Sequence, residues 1–341
     1  MAQLDAANGV LFRMRPHRRA IRTVCWAFAG LLVIALGAIA VHRHHQRRVL
    51  LAALEAGAPQ QRISTNSIPV GSSEQTIEIG GLQRDFIVYR PKALANPAPL
   101  VLMLHGGYGS AAGAEKTYGW NQLSDSDHFV VVYPDGYDHA WNAGAGCCGK
   151  PAADGVNDVA FITAVVKRVE GEIPINHSRV YATGMSNGGI MDYTLACKTS
   201  IFAAIGPVAA TQLVSCKRPH PLSVIHIHGS ADTHVPYNGG PGDNPPSAPI
   251  DGPSIPALNA TWRAIDHCAK PKVKSVGVVK TSVASCPHHR SVELITIIGA
   301  GHQWPGSPSK PLQEKLLHTD PPSQAINATT TIWRFFASHP A

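Results

Sequence analysis

Charge is scarce in this chain: Asp, Glu, Lys and Arg make up 15% of its 341 residues, and aromatic side chains only 6%. So low a charge density, beside 44% hydrophobic content, excludes a charge-swollen disordered chain and fits a globular body with a sizeable core. Seven cysteines are present, yet no Cys-x-x-Cys, which removes the commonest zinc and redox-active spacings. No internal repeat is visible. The net charge is +7, but arginines crowd into the first 48 residues, and no basic stripe interleaved with aromatics runs through the body, so a nucleic-acid groove is excluded.

What the amino terminus does have is an uncharged run. Residues 24–41 contain no charged side chain, with Arg13, Arg15, Arg18, Arg19 and Arg22 before them and Arg43, Arg47 and Arg48 after. About 18 apolar residues just suffice to cross a bilayer as a helix, and this run exceeds the usual h-region of about 7–15. An uncleaved anchor is therefore expected within residues 1–48, with the N-terminus in the cytoplasm and the body outside by the positive-inside rule. Cleavage after 38–40 would instead release a secreted protein. His42, His44 and His45 read as a solvated juxtamembrane patch rather than a metal tract, since no acid or cysteine accompanies them. Residues 49–73 read as a tether, and 74–341 as the folded domain.

Six cysteines lie beyond the apolar run: Cys147, Cys148, Cys197, Cys216, Cys268 and Cys286. An even number in an exported chain reads as disulfides. Fifteen pairings are open in principle; Cys268 with Cys286 is the preferred local pair, and the adjacent Cys147 and Cys148 are expected to take separate partners.

Along the body, strand patterns at 75–79, 83–89, 100–104, 129–133, 180–183, 203–208, 224–227 and 292–298 alternate with helical patterns near 111–126, 157–170, 187–198 and 323–337. That alternation predicts an α/β fold: a mostly parallel central sheet with helices on both faces, opened by an antiparallel hairpin. The proline-rich stretch 239–257 reads as a surface loop.

The most informative stretch is 180–190, where a β-branched and aromatic run meets Gly184-Met185-Ser186-Asn187-Gly188 and then a helical pattern. A strand that turns at once into a helix leaves Ser186 on a turn so tight that only glycine fits at 184 and 188. Such a turn lifts the hydroxyl above the strand ends and aims the Asn187 N–H at an oxyanion. A serine hydroxyl needs a histidine to take its proton and a carboxylate to orient that histidine. On this fold the order is Ser, acid, His, and two residues answer it. Asp232 follows the strand at 224–227, and His302 follows the strand at 292–298. The second oxyanion donor is expected from the loop after 100–104, at the N–H of Gly107 or Tyr108, with His105 structural. Asp158, at a helix start, reads as a cap.

With these pieces located, the body resembles the polyhydroxybutyrate depolymerase-like esterases, which are related to feruloyl and acetyl-xylan esterases within the α/β-hydrolases. The matching stretches are LHGGYGSA at 104–111, YPDGYDHAWNAGAGCCG at 133–149, DVAFI at 158–162, VYATGMSNGGIMDYTLAC at 180–197, HIHGSADTHVPYNGG at 226–240 and GHQWPG at 301–306. The resemblance implies a serine carboxylic-ester hydrolase working through an acyl-enzyme with Ser186, Asp232 and His302. It also implies Trp141, Asn142 and Trp304 along the substrate cleft, and neither a metal nor an organic cofactor. It does not extend to residues 1–70, and no separate polymer-binding module is present in the sequence. Amide hydrolysis on the same triad, or a non-catalytic binding protein on a hydrolase scaffold, are the alternatives. Hydroxyalkanoate, feruloyl and acetyl esters are not distinguished.

Overall fold

The computed structural model describes residues 68–341 apart from 218, 245–247, 249 and 318–319. The apolar run at 24–41 and most of the predicted tether lie outside the described residues. Among those described, no helix is long and apolar enough to cross a membrane.

Twelve strands and eight α-helices follow one another among the described residues. The chain opens with β1 (Gly71–Ile79), β2 (Leu82–Arg90) and β3 (Ala98–Leu104). After these come α1 (Ala111–Thr117), α2 (Trp120–Asp127), β4 (Val130–Pro134), α3 (Gly149–Ala153), α4 (Asp158–Glu170), β5 (Ile175–Met185), α5 (Asn187–Lys198), β6 (Ala204–Val208) and β7 (Ser223–Gly229). The short strands β8 (Gly240–Pro241) and β9 (Asp251–Gly252), then α6 (Ile255–Ile265), β10 (Lys272–Val276), β11 (Val279–Ser285), β12 (Ser291–Ile297), α7 (Pro311–Leu317) and α8 (Ala328–Ser338) complete it.

Ten strands form one sheet in the order β1-β2-β4-β3-β5-β6-β7-β12-β11-β10. The six inner strands from β4 to β12 are parallel, and an antiparallel pair flanks them at each edge. Because successive side chains on a strand point to opposite faces, the apolar run of β3 feeds two cores. Leu100, Leu102 and Leu104 pack with Phe161 and Val165 of α4 and Ile190 and Leu195 of α5. Val101 and Met103 share the other face with Trp120 of α2 and with Ile332 and Phe336 of α8. Each fully buried side chain of this size contributes about 1.5–3 kcal/mol of apolar transfer free energy.

The structure amends the boundaries read from sequence. Strand β1 begins at Gly71, inside the predicted tether, and the Ile68 N–H before it donates to Glu172 Oε2 at 2.8 Å. The helical pattern at 111–126 is two helices. Strands β10 and β11, unforeseen, form a second antiparallel edge in which every residue of β10 is exposed. Helix α6 starts inside the proline-rich stretch: Ser254 caps it by accepting from the Ala257 N–H, and a proline in the first turn has no N–H to lose there. Cysteines pair as Cys268–Cys286, as expected, as Cys197–Cys216, and as Cys147–Cys148. The last pair corrects the expectation of separate partners. The two cysteines lie in one buried turn, where the Cys147 carbonyl accepts from the Ala143 N–H at 2.8 Å and the Cys148 N–H donates to the Trp141 carbonyl at 3.0 Å.

Candidate active site

At the carboxyl edge of β5 the backbone reverses into α5 through a single residue, Ser186, at φ 54° and ψ −121°. A non-glycine residue there is strained by about 1–3 kcal/mol, and the neighbours hold it. Its N–H donates to the Val208 carbonyl at 2.9 Å and its carbonyl receives the Ile190 N–H at 2.9 Å. Gly188 packs so closely under β3 that a side chain would overlap the carbonyl oxygens of Leu104 and His105. These contacts fix the elbow from both sides.

The segment 105–108 passes beside it. A methyl group on Gly106 would stand 3.5 Å from Ser186 Cβ, and one on Gly107 would stand 4.0 Å from Asn187 Cβ. Of the two residues expected to supply a donor from this loop, Tyr108 is corrected: at φ 64° its N–H donates to the His139 carbonyl at 2.8 Å. Gly107 and Asn187 remain beside the serine. His105 is structural, as read from sequence, with Nε2 accepting from the Gly136 N–H at 2.8 Å and Nδ1 2.7 Å from the Gly106 carbonyl.

Trp141, predicted to line the cleft, has no exposed surface. Its indole N–H donates to the His105 carbonyl at 2.8 Å, while its main-chain N–H donates to Asn187 Oδ1 at 2.7 Å and its carbonyl accepts from Asn187 Nδ2 at 3.1 Å. It therefore straps the 105–108 segment to the elbow and has no surface to offer a substrate. Asn142 is also taken up internally: its N–H donates to Asp158 Oδ2 at 2.7 Å and its side-chain amide to the Val156 carbonyl at 2.9 Å. Trp304 is buried against Tyr118 and donates to Thr329 Oγ1 at 3.1 Å. All three are braces: Trp141 and Trp304 because they are buried, Asn142 because its main-chain and side-chain N–H groups are committed to Asp158 and Val156. Asp158 is not the cap of α4, a role held by Asn157, which accepts from the Ala160 N–H at 3.0 Å. Asp158 instead forms a buried ion pair with Arg84 at 2.7 Å.

The acid and the histidine come from neighbouring loops that are laced together. Gly229, ending β7, lies so close to the 300–301 backbone that a side chain would overlap the Ala300 carbonyl. Ser230 donates to the Ile297 carbonyl at 3.0 Å and Ala231 to the Ala300 carbonyl at 2.9 Å. This lacing sets Asp232 and His302, both buried, face to face, with His302 Nδ1 2.8 Å from Asp232 Oδ2. Asp232 Oδ1 receives the N–H groups of His234 at 2.9 Å and Val235 at 2.8 Å. Burial works against a charged carboxylate here, but His302, His228 and the Val235 N–H outweigh it and hold the Asp232 pKa below its usual value. Asp232 is therefore ionised, and Nδ1 of His302 carries a proton toward it. No hydrogen bond joins the Ser186 hydroxyl to His302 among the described residues.

The sequence reading missed the side-chain bridge from Asn187 to Trp141 and the hold of His228 on the acid turn, 3.4 Å from Asp232 Oδ2. The second had a signal: two histidines at alternate positions of an otherwise apolar strand share one buried face.

A parallel sheet crossed at its carboxyl edge by a strand–serine–helix turn, with an acid and a histidine on later loops, is the architecture of the α/β-hydrolase fold. The family model described as Esterase PHB depolymerase matches residues 85–225. Over 203 residues the chain is 30% identical to "Probable feruloyl esterase C" of Aspergillus clavatus, which spans 56% of this chain and 70% of that protein. It is 28% identical over 217 residues to feruloyl esterase B of Piromyces equi, spanning 60% of this chain and 39% of that one. The acetyl xylan esterase from Aspergillus awamori superposes with a TM-score of 0.52 at 16% identity, covering 67% of this chain and 94% of that one, a likeness of fold. The chain belongs to the PHB depolymerase family of esterases and is a carboxylic-ester hydrolase.

Proposed function

We propose that Ser186, His302 and Asp232 are the catalytic triad of this esterase. Ser186 Oγ attacks the ester carbonyl carbon while Nε2 of His302 takes its proton. Asp232 holds the imidazole and stabilises the imidazolium. The tetrahedral oxyanion is received by the N–H groups of Gly107 and Asn187. Collapse of the tetrahedral species expels the alcohol, which leaves with the proton from His302. Water, activated by the same imidazole, then hydrolyses the acyl-serine. The observation that carries this reading is the 2.8 Å Nδ1–Oδ2 bond at the sheet edge where Ser186 is held at φ 54°.

Turnover of p-nitrophenyl acetate by Ser186→Ala tests it. A loss of about 10⁴-fold or more with an unchanged melting temperature is expected, and full activity would remove the serine. Short acyl, feruloyl and hydroxyalkanoate esters are all within the chemistry, and profiling initial rates across them assigns the acyl group.

Export is part of the same proposal. The arginine-flanked apolar run at 24–41 and the three disulfides among the described residues support a body held outside the cytoplasm, anchored or released. Fractionation of expressing cells, followed by protease treatment of intact cells, distinguishes a surface-anchored body from a released one.

A further inference from the structure

Strand β7 carries His226 and His228 two residues apart, so both imidazoles leave the same face of the sheet, and each is only 1% exposed. With Tyr193 of α5 they form an unbroken chain. Tyr193 Oη stands 2.7 Å from His226 Nδ1, His226 Nε2 stands 2.9 Å from His228 Nδ1, and His228 Nε2 stands 2.8 Å from the Val235 carbonyl. A carbonyl can only accept, so His228 Nε2 bears the proton. Its Nδ1 then accepts from His226 Nε2–H, and His226 Nδ1 accepts from the Tyr193 hydroxyl. Every proton in the chain has one place, and both rings are neutral. Burial acts in the same direction, holding both imidazole pKa values below the ordinary histidine range, His226 far below it.

The chain ends on the acid turn. Val235, whose carbonyl receives the His228 proton, is the residue whose N–H donates to Asp232 Oδ1. The same His228 Nε2 lies 3.4 Å from Asp232 Oδ2, the oxygen that faces His302. His228 thus holds the peptide that closes the turn and lies beside the carboxylate the turn presents. Its other polar neighbour is Tyr237, ring centroids 6.0 Å apart, whose hydroxyl is 2.9 Å from Thr296 Oγ1. A buried polar chain is costly to desolvate, and an apolar trio would pack this face at lower cost.

We propose that His228 is the positioning residue of the acid–base pair: with its tautomer fixed by His226 and Tyr193, it holds residues 232–235 so that Asp232 Oδ2 stays aligned with His302 Nδ1. The inference rests on Asp232 and His302 serving as that pair.

The test compares His228→Leu, which fills the space without a donor, with His228→Gln, whose amide brings an N–H close to the place of Nε2. With p-nitrophenyl acetate, kcat of His228→Leu is expected to fall about 10- to 100-fold with KM within about two-fold, and His228→Gln to recover to within about five-fold of the parent. Tyr193→Phe, which deletes only the hydroxyl that begins the chain, is expected to lose about two- to five-fold and serves if the leucine variant does not fold. Proton NMR supplies a readout independent of turnover: the low-field Nδ1–H resonance of His302 is expected to move upfield in His228→Leu and to stay in His228→Gln. A leucine variant within two-fold of the parent kcat overturns the proposal. So does an equal loss in both variants with the His302 resonance unmoved, since that is the mark of general destabilisation. If Ser186→Ala remained active, the serine reading would fail alone, and the resonance would still decide whether His228 holds the pair.

Discussion

The two halves of the site are built by different means. The half that carries the proposed nucleophile is a backbone construction. Ser186 is held by main-chain bonds at a positive φ, Gly188 lets α5 press against β3, and the Asn187 side chain straps the elbow to Trp141. The acid–histidine half is mainly a side-chain construction, in which Tyr193, His226 and His228 form one buried hydrogen-bonded chain joined through the Val235 peptide to Asp232 and His302. A strained turn tolerates almost no change of shape, whereas a polar array tolerates shape but not loss of a donor. The nucleophile half is therefore expected to fail by misfolding, and the acid half by losing rate in a protein that still folds.

Gly188→Ala should give the largest effect. Its methyl group would meet two main-chain carbonyls that cannot yield, and a destabilisation above about 4 kcal/mol is expected, read as a collapse of the thermal transition or of soluble yield. Asp158→Ala comes next. It leaves Arg84 buried and unpaired, which costs about 3–5 kcal/mol, and thermal denaturation should show the loss.

Asn187→Ala keeps the main-chain donor but frees it from Trp141, so kcat should fall about ten- to a hundred-fold with KM nearly constant. If Asn187→Ala instead unfolded the protein while leaving the surviving fraction fully active, the strap would serve the fold alone, and the contrast between the halves would weaken.

The smallest expected effect lies outside both halves. Burial pushes the Asp266 carboxyl up to about 6 against the pull of Arg290, 3.0 Å away. Its folded pKa is above its unfolded one, so the folded state holds the proton more tightly and the wild type loses stability as pH rises from about 4 through 6. In Asp266→Asn that titration is gone. The melting temperature of the variant relative to wild type should rise by a few degrees between pH 4 and pH 7, and a constant difference across that range would show that Asp266 does not titrate there.

The same contrast explains what could be read from sequence. The elbow was legible because its requirements fall within five consecutive residues, and Asp232 and His302 because each directly follows a strand. The straps were not. Trp141 and Asn142 looked like cleft residues because nothing local says that their partners, His105, Asn187 and Asp158, come from three other elements. Tyr108 lost its place as a donor to a contact with His139, thirty-one positions away and outside any pattern. Strand β10, KVKSV, escaped notice because an edge strand exposed on both faces carries no apolar alternation, and lysine is a common guard of such edges. The histidines of β7 lie within a strand and are buried, a placement that argues against a role as the base. What one strand could not reveal is that their face of the sheet meets Tyr193 and the turn at 232–235.

The central claim is that the hydroxyl at 186 is the group acylated in ester cleavage. Incubation of the full-length protein with a fluorophosphonate, followed by intact-mass and peptide mass spectrometry, tests it most directly. One adduct, on the peptide containing Ser186 and absent from Ser186→Ala, is the expected result. An adduct that persists in the alanine protein, or maps to another serine, would contradict the account.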